Sequence, residues 1–90
     1  MTIELDGRKM TDRAALHDYL QEALELPDYY GRNLDALYDL LTEDGRPRNI
    51  LLRRAAEVEA QLGGYGAAFL ETLRQAAEEN PALEVTEEAY

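Results

Sequence analysis

The chain has no cysteine and no tryptophan, and only one histidine and one phenylalanine. Without cysteine, neither a disulfide framework nor a thiolate metal site can form. That suits a reducing compartment and sets a cytoplasmic expectation. Basic residues are scarce: nine Lys and Arg stand against nineteen Asp and Glu, a net charge of −10. Phosphate-backbone binding needs a basic patch, so no nucleic acid is expected as a partner. The Arg53–Arg54 doublet is too small to track RNA. No apolar run is long enough for a membrane-spanning helix, so no membrane is expected as a partner. The start, Met1 to Asp6, lacks the charged and apolar regions of a signal peptide. No Gly-rich loop follows a strand and no nucleophile–base pair is evident, so neither enzyme activity nor a cofactor is expected. There is no internal repeat and no linker. Ninety residues suit one domain over residues 1–90, with a modest core and no staples.

What is present is an alternation of short strands and helices. Ile3 and Leu5 alternate with Glu4 and Asp6, which predicts a strand over Thr2–Asp6. Gly7, Arg8 and Lys9 make a polar turn. Thr11 is the expected N-cap of a helix with Asp12 in its first turn, running to about Glu25. Its inward stripe is Leu16, Tyr19, Leu20, Ala23 and Leu24. His17 lies beside that stripe and is expected to be structural or exposed, because acid–base catalysis needs positioned companions. Further on, Ile50-Leu51-Leu52 reads as a strand buried on both faces, within Asn49–Arg53. Ala55–Leu62 is a helix stopped by Gly63 and Gly64. A longer helix follows to Glu79, with Phe69, Leu70, Leu73, Ala76 and Ala77 inward, and Asn80–Pro81 ends it. Ala82–Thr86 is a third strand, and the residues from Glu87 to Tyr90 are expected to fray. The order β-α-α-β-α-α-β predicts an α/β fold with a three-stranded parallel sheet packed against helices.

The stretch from Leu26 to Thr42 stands apart. Pro27 ends the preceding helix, Gly31 can take a positive φ at the turn, and Asn33 is a strong N-cap. Leu34, Leu37 and Leu41 form an apolar stripe. Asp35, Tyr38, Asp39 and Thr42 form a different one. Like charges one turn apart are unfavourable, and Asp39 sits beyond the first turn, where the helix dipole no longer helps it. The pair is either a solvated acidic face or a carboxylate fork that receives a partner's arginines or lysines. Tyr29, Tyr30 and Tyr38 favour the fork, since tyrosines beside charges are typical interface anchors. Core packing is expected for at least one of the three. Glu78 and Glu79, at a helix C-terminus where negative charge is unfavourable, are consistent with an acidic binding surface.

This stretch resembles the signature of the barstar family of ribonuclease inhibitors. The resemblance runs through Leu26, Pro27, Tyr29, Tyr30, Gly31, Asn33, Leu34, Asp35, Ala36, Leu37, Asp39, Leu41 and Thr42. It extends more weakly over nearly the whole chain, in length, element order and apolar pattern. It implies the barstar-like fold and a protein inhibitor that plugs the active site of a basic secreted ribonuclease of the barnase type in a 1:1 complex. On that resemblance, Asp39 stands in for an RNA phosphate and accepts bonds from the enzyme's catalytic arginines and a histidine. Asp35 pairs with a nearby basic residue, Tyr29 covers the enzyme's histidine, and Gly31 and Asn33 contribute through the loop. Tyr30, Tyr38 and Thr42 belong to the same implied surface, with Glu79 at its edge. Four positions depart from the family pattern. Gln75 stands where the family inhibitor has a glutamate, Tyr38 and Asp44 where it has tryptophans, and Arg46 reverses a negative charge. They shift the expected target from barnase itself to a related enzyme.

Two other readings of the residues stay open. One is an enzyme or metal site on Asp35 and Asp39. Two carboxylates are too few for a calcium cage, but a magnesium ion shared with phosphates needs only one or two. The other is a barstar-fold module for a different basic protein, such as a regulator or a toxin that is not a ribonuclease.

Overall fold

The alternating Ile3–Leu5 segment forms the first strand, β1 (Thr2–Asp6), and a 3₁₀ turn over Gly7–Lys9 leads out of it. The structure is a computed structural model that describes residues 2–90, and Met1 lies outside the described residues. Four helices follow as α1 (Arg13–Ala23), α2 (Leu34–Glu43), α3 (Ala55–Leu62) and α4 (Gly64–Glu79). The strands β2 (Arg48–Arg53) and β3 (Leu83–Glu87) complete the order β-α-α-β-α-α-β. β2 is central, and both pairings are parallel, as the long helical crossovers require.

The sheet buries only one face, contrary to the expectation for β2. Ile50 and Leu52 are buried, whereas Asn49 and Arg53 are exposed and Leu51 is half-buried. Register aligns Ile3, Ile50 and Val85 in one row on the core side. Glu4, Leu51 and Thr86 form a row on the open side. The apolar run of three is shorter than the alternation it sits in, and the polar residues flanking it set the true period of two. All four helices contribute buried residues to the single core on that face. The sheet is therefore an exception to the tendency of parallel sheets to be covered twice.

One apolar core joins Leu5, Ile50 and Leu52 of the sheet to Leu16 and Leu20 of α1, Leu37 and Leu41 of α2, and Phe69 and Leu73 of α4. Two glycines are dictated by close approach. A Cβ on Gly7 would lie 2.3 Å from the Arg54 carbonyl oxygen, and one on Gly66 2.6 Å from that of Val58. α3 can press against the 3₁₀ turn and α4 against α3 only because both positions lack a side chain.

Three further details differ from expectation. The α1 N-cap is Asp12, not Thr11, with its carboxylate accepting from the Ala15 N–H at 2.8 Å. α1 ends at Ala23, short of Pro27. The Leu26 N–H donates to the Gln21 carbonyl and the Glu25 N–H to that of Glu22, a Schellman motif with Glu25 left-handed at φ 53°. Residues beyond β3 are tied down: the Glu88 N–H donates to the Leu52 carbonyl, and the Glu88 and Ala89 carbonyls accept from the Ala55 and Ala56 N–H groups. Those carbonyls satisfy the first free donors of α3, whose N-cap, Arg54, offers no side-chain bond.

Candidate functional site

α2 is set by its cap and its inward stripe. The Asn33 side chain accepts from the Ala36 N–H at 2.7 Å, and Leu37 and Leu41 are fully buried beneath the helix. Such a cap contributes about 1 kcal/mol. The far end is fastened as well. Asn80, buried just past α4, donates to the Leu41 and Asp44 carbonyls at 2.9 and 2.7 Å and accepts from the Ala82 N–H at 3.0 Å. Arg48 is also buried and donates to the Leu41 carbonyl at 3.3 Å.

The loop ahead of α2 is held from two sides. Tyr30 is only 5% exposed, and its hydroxyl meets His17 Nδ1 at 2.6 Å. The other ring nitrogen of His17 meets the Tyr65 hydroxyl at 2.7 Å. A neutral imidazole gives one donor and one acceptor, so one tyrosine donates to it and the other accepts. Burial pushes the His17 pKa down, and the nearby Arg32 charge adds to the effect. Burial likewise raises the Tyr30 phenol to about 12. On the outer side, Arg32 forms an ion pair with Asp18 and donates to the Gln21 side chain at 3.3 Å. The positive φ in this turn belongs to Arg32, at 56°, and not to Gly31. With that backbone the guanidinium lies back against α1, within reach of those partners.

The outer surface carries the acidic pattern. Asp35 and Asp39 are exposed, and neither forms an ion pair among the described residues. Tyr29 is 74% exposed on the loop before α2. Tyr38 is half-buried against the core. The Thr42 hydroxyl donates to the Tyr38 carbonyl at 2.8 Å, so its polar capacity is partly spent on its own helix. Gly31 is exposed, and its carbonyl accepts from the Asn33 amide at 3.2 Å. Glu79 is exposed at the end of α4. Asn80, the next residue, places it near the C-terminal end of α2 through its bonds to Leu41 and Asp44.

Two clefts flank the helix. One, of about 320 Å³, lies at its N-terminal end between Arg13, Arg32, Asn33, Asp35 and Tyr65. The other, of about 300 Å³, lies between Leu26, Pro27, Tyr29, Leu40 and Arg46. In the loop after α2, Asp44 is taken up by Arg46, whose guanidinium grips it at 2.7 and 3.0 Å. That grip holds the Asp44 carboxyl well below the usual range. Arg46 and Asp44 thus form a fixed, mutually neutralised pair in the loop after α2. Among the described residues, no three His, Cys, Asp or Glu side chains gather to hold a metal ion.

Sequence reasoning missed the supports under this surface: Asn80, Arg48, Arg32 and Tyr65. Asn80 looked like a helix stop beside Pro81, and nothing in its neighbours signals bonds to residues so distant in the chain.

Comparison with known proteins gives the surface a context. The sequence model of the family described as "Barstar (barnase inhibitor)" matches residues 1–88. A Bacillus subtilis (strain 168) protein named "Putative ribonuclease inhibitor YrdF" is 42% identical over 78 residues, covering 86% of this chain and 86% of that protein. With the whole sheet and all four helices inside the match, the chain belongs to the barstar family.

Proposed function

We propose that the protein inhibits a secreted ribonuclease of the barnase type by inserting α2 and the loop before it into the active site as a 1:1 complex in the cytoplasm. The observation that carries the reading is that Asp35 and Asp39 are exposed on a braced helix without an internal cation. A ribonuclease active site is a prebuilt anion site. Carboxylates on a rigid element meet its guanidinium groups with bidentate geometry and little ordering cost. Asp39 takes the place of an RNA phosphate, and Asp35 pairs with a neighbouring cation. Tyr29 contributes apolar area over the enzyme's histidine, and Gly31 and Asn33 present loop backbone and amide. Tyr30 serves from beneath, by fixing the loop. Tyr38 and Thr42 complete the helix surface, with Glu79 at its edge. The family match and the printed name of the Bacillus relative support this function class.

Titrating a barnase-type ribonuclease with the protein while it cleaves a fluorogenic RNA tests the proposal. Stoichiometric inhibition supports it. A second reading is a barstar-fold module for another basic protein; it draws on Arg46, which stands where the family inhibitor carries a negative charge and is held against Asp44 here. Absence of inhibition together with capture of a different basic protein would favour that reading.

A further inference from the structure

Four of the nine basic residues, Arg8, Lys9, Arg53 and Arg54, line one cleft of about 480 Å³. Of the nineteen acidic residues only Glu4 and Asp6 line it. In a protein of charge −10, the side chains lining this concavity thus carry two more positive than negative charges, with Glu57 and Glu88 reaching Arg54 and Arg53 from its margin. No residue of α2 or of the loop before it contributes to this cleft. It lies at the C-terminal ends of β1 and β2, the end of a parallel sheet where open α/β folds place their ligands.

The cations are not equally available. Arg8 is spent on Asp6, at 2.9 Å, and Arg53 lies 3.2 Å from Glu88 and 3.6 Å from Glu4. Lys9 has no carboxylate partner among the described residues and lies 5.4 Å from the centre of the Tyr19 ring. Arg54 has only a marginal pair with Glu57, at 3.4 Å, and its buried Nε has no partner. Its backbone is also strained, left-handed at φ 58° and ψ 44°. Glycine would remove that strain, and strained backbone gathers where a side chain is needed in one place. Lys9 and Arg54 thus supply unused donors in one cavity, and Tyr19 and Tyr90 supply aromatic surface on its walls.

We propose that this cleft binds a phosphate monoester, with the dianionic phosphate held by Lys9 and Arg54 and any organic part lying against the tyrosines. Arginine provides the planar fork for two phosphate oxygens and lysine the point charge. Arg8 and Arg53, each tied to a carboxylate, hold the rim in shape. The site stands whether or not α2 inhibits a ribonuclease, because the two surfaces share no residue.

The test is a titration of the ¹⁵N-labelled full chain with inorganic phosphate and, separately, with adenosine 5′-monophosphate at constant ionic strength. Saturable shifts centred on Gly7–Lys9 and Arg53–Arg54 are expected. Lys9→Ala and Arg54→Gly should each weaken binding about tenfold, as expected for loss of a charge-assisted bond. Arg54→Gly should stay folded and at least as stable. Asp39→Ala, remote from the cleft, should bind as the parent does. Equal affinity for the two probes would mean that the phosphate group alone is recognised, and tighter binding of the nucleotide would add a seat for the ring. Weak, non-saturating shifts spread over all basic residues, or binding untouched by Lys9→Ala and Arg54→Gly, would overturn the proposal.

Discussion

His17 Nδ1 and the Tyr30 hydroxyl, 2.6 Å apart and both buried, tie the first helix to the loop that presents Tyr29 and leads into α2. Residues far apart in polarity from the acidic surface thus fix its position. Tyr65, from the start of α4, closes the arrangement on the other ring nitrogen. Three elements meet at one imidazole.

Protonating that imidazole gives it two donors and removes its acceptor, so one tyrosine contact must change. The folded state holds the His17 pKa below its ordinary 6.5. The unfolded chain then binds more protons, and stability falls as pH drops below about 6.5. It is fully present above that value. At the alkaline end the sign reverses. Tyr30 keeps its proton to about 12 when folded against 10.0 ordinarily, so stability is lost as pH rises between them. Urea midpoints across pH should show both slopes, and His17→Gln should flatten the acid one. A midpoint constant from pH 5 to 7 would contradict this.

Tyr30→Phe leaves a buried imidazole nitrogen without its partner. The expected loss is about 1–3 kcal/mol, read from urea unfolding. Tyr29→Phe, on an exposed ring, should leave stability unchanged within about 0.5 kcal/mol.

Asn80 joins the ends of α2 and α4 to the start of β3. Asn80→Ala removes two donors and one acceptor inside the protein, so a loss of about 2 kcal/mol or more is expected. Asn80→Asp should be worse, since a carboxylate would face two carbonyl oxygens. Equal stability of parent and Asn80→Ala would show that the junction is held by packing alone.

Removing residues 88–90 takes away the carbonyls that accept from Ala55 and Ala56 and the bond from Glu88 to Leu52. Arg54 provides no cap in their place. Stability should fall by about 1–3 kcal/mol. Amide exchange should rise first in α3. Unchanged exchange there would mean that these bonds are incidental.

Much of this architecture can be read from residue order. α3 is bounded by Gly63, α2 by Asn33, and both match the expected starts and stops because local chemistry decides them. The parallel sheet follows from the length of the crossovers. The open face of β2 was hidden because Leu51 extends an apolar run outward, and only Asn49 and Arg53 reveal the alternation. Intrinsic preference points to Gly31 for the left-handed residue of the loop, whereas Arg32 takes it, with its side chain lying against α1. The acidic stripe was legible from spacing. Its bracing by His17, Arg32, Arg48 and Asn80 was not, since those contacts join separate elements and no local pattern marks them.

The most direct measurement compares inhibition of a barnase-type ribonuclease by the parent and by Asp39→Ala, with the fold of each checked by urea unfolding. Asp39 is exposed and makes no ion pair, so its removal should leave stability within about 0.5 kcal/mol. Inhibition by the parent should be stoichiometric, and the variant should lose at least about a hundredfold in affinity, as expected for a desolvated charge left without its partner. A folded Asp39→Ala that inhibits as well as the parent would contradict the role assigned to α2.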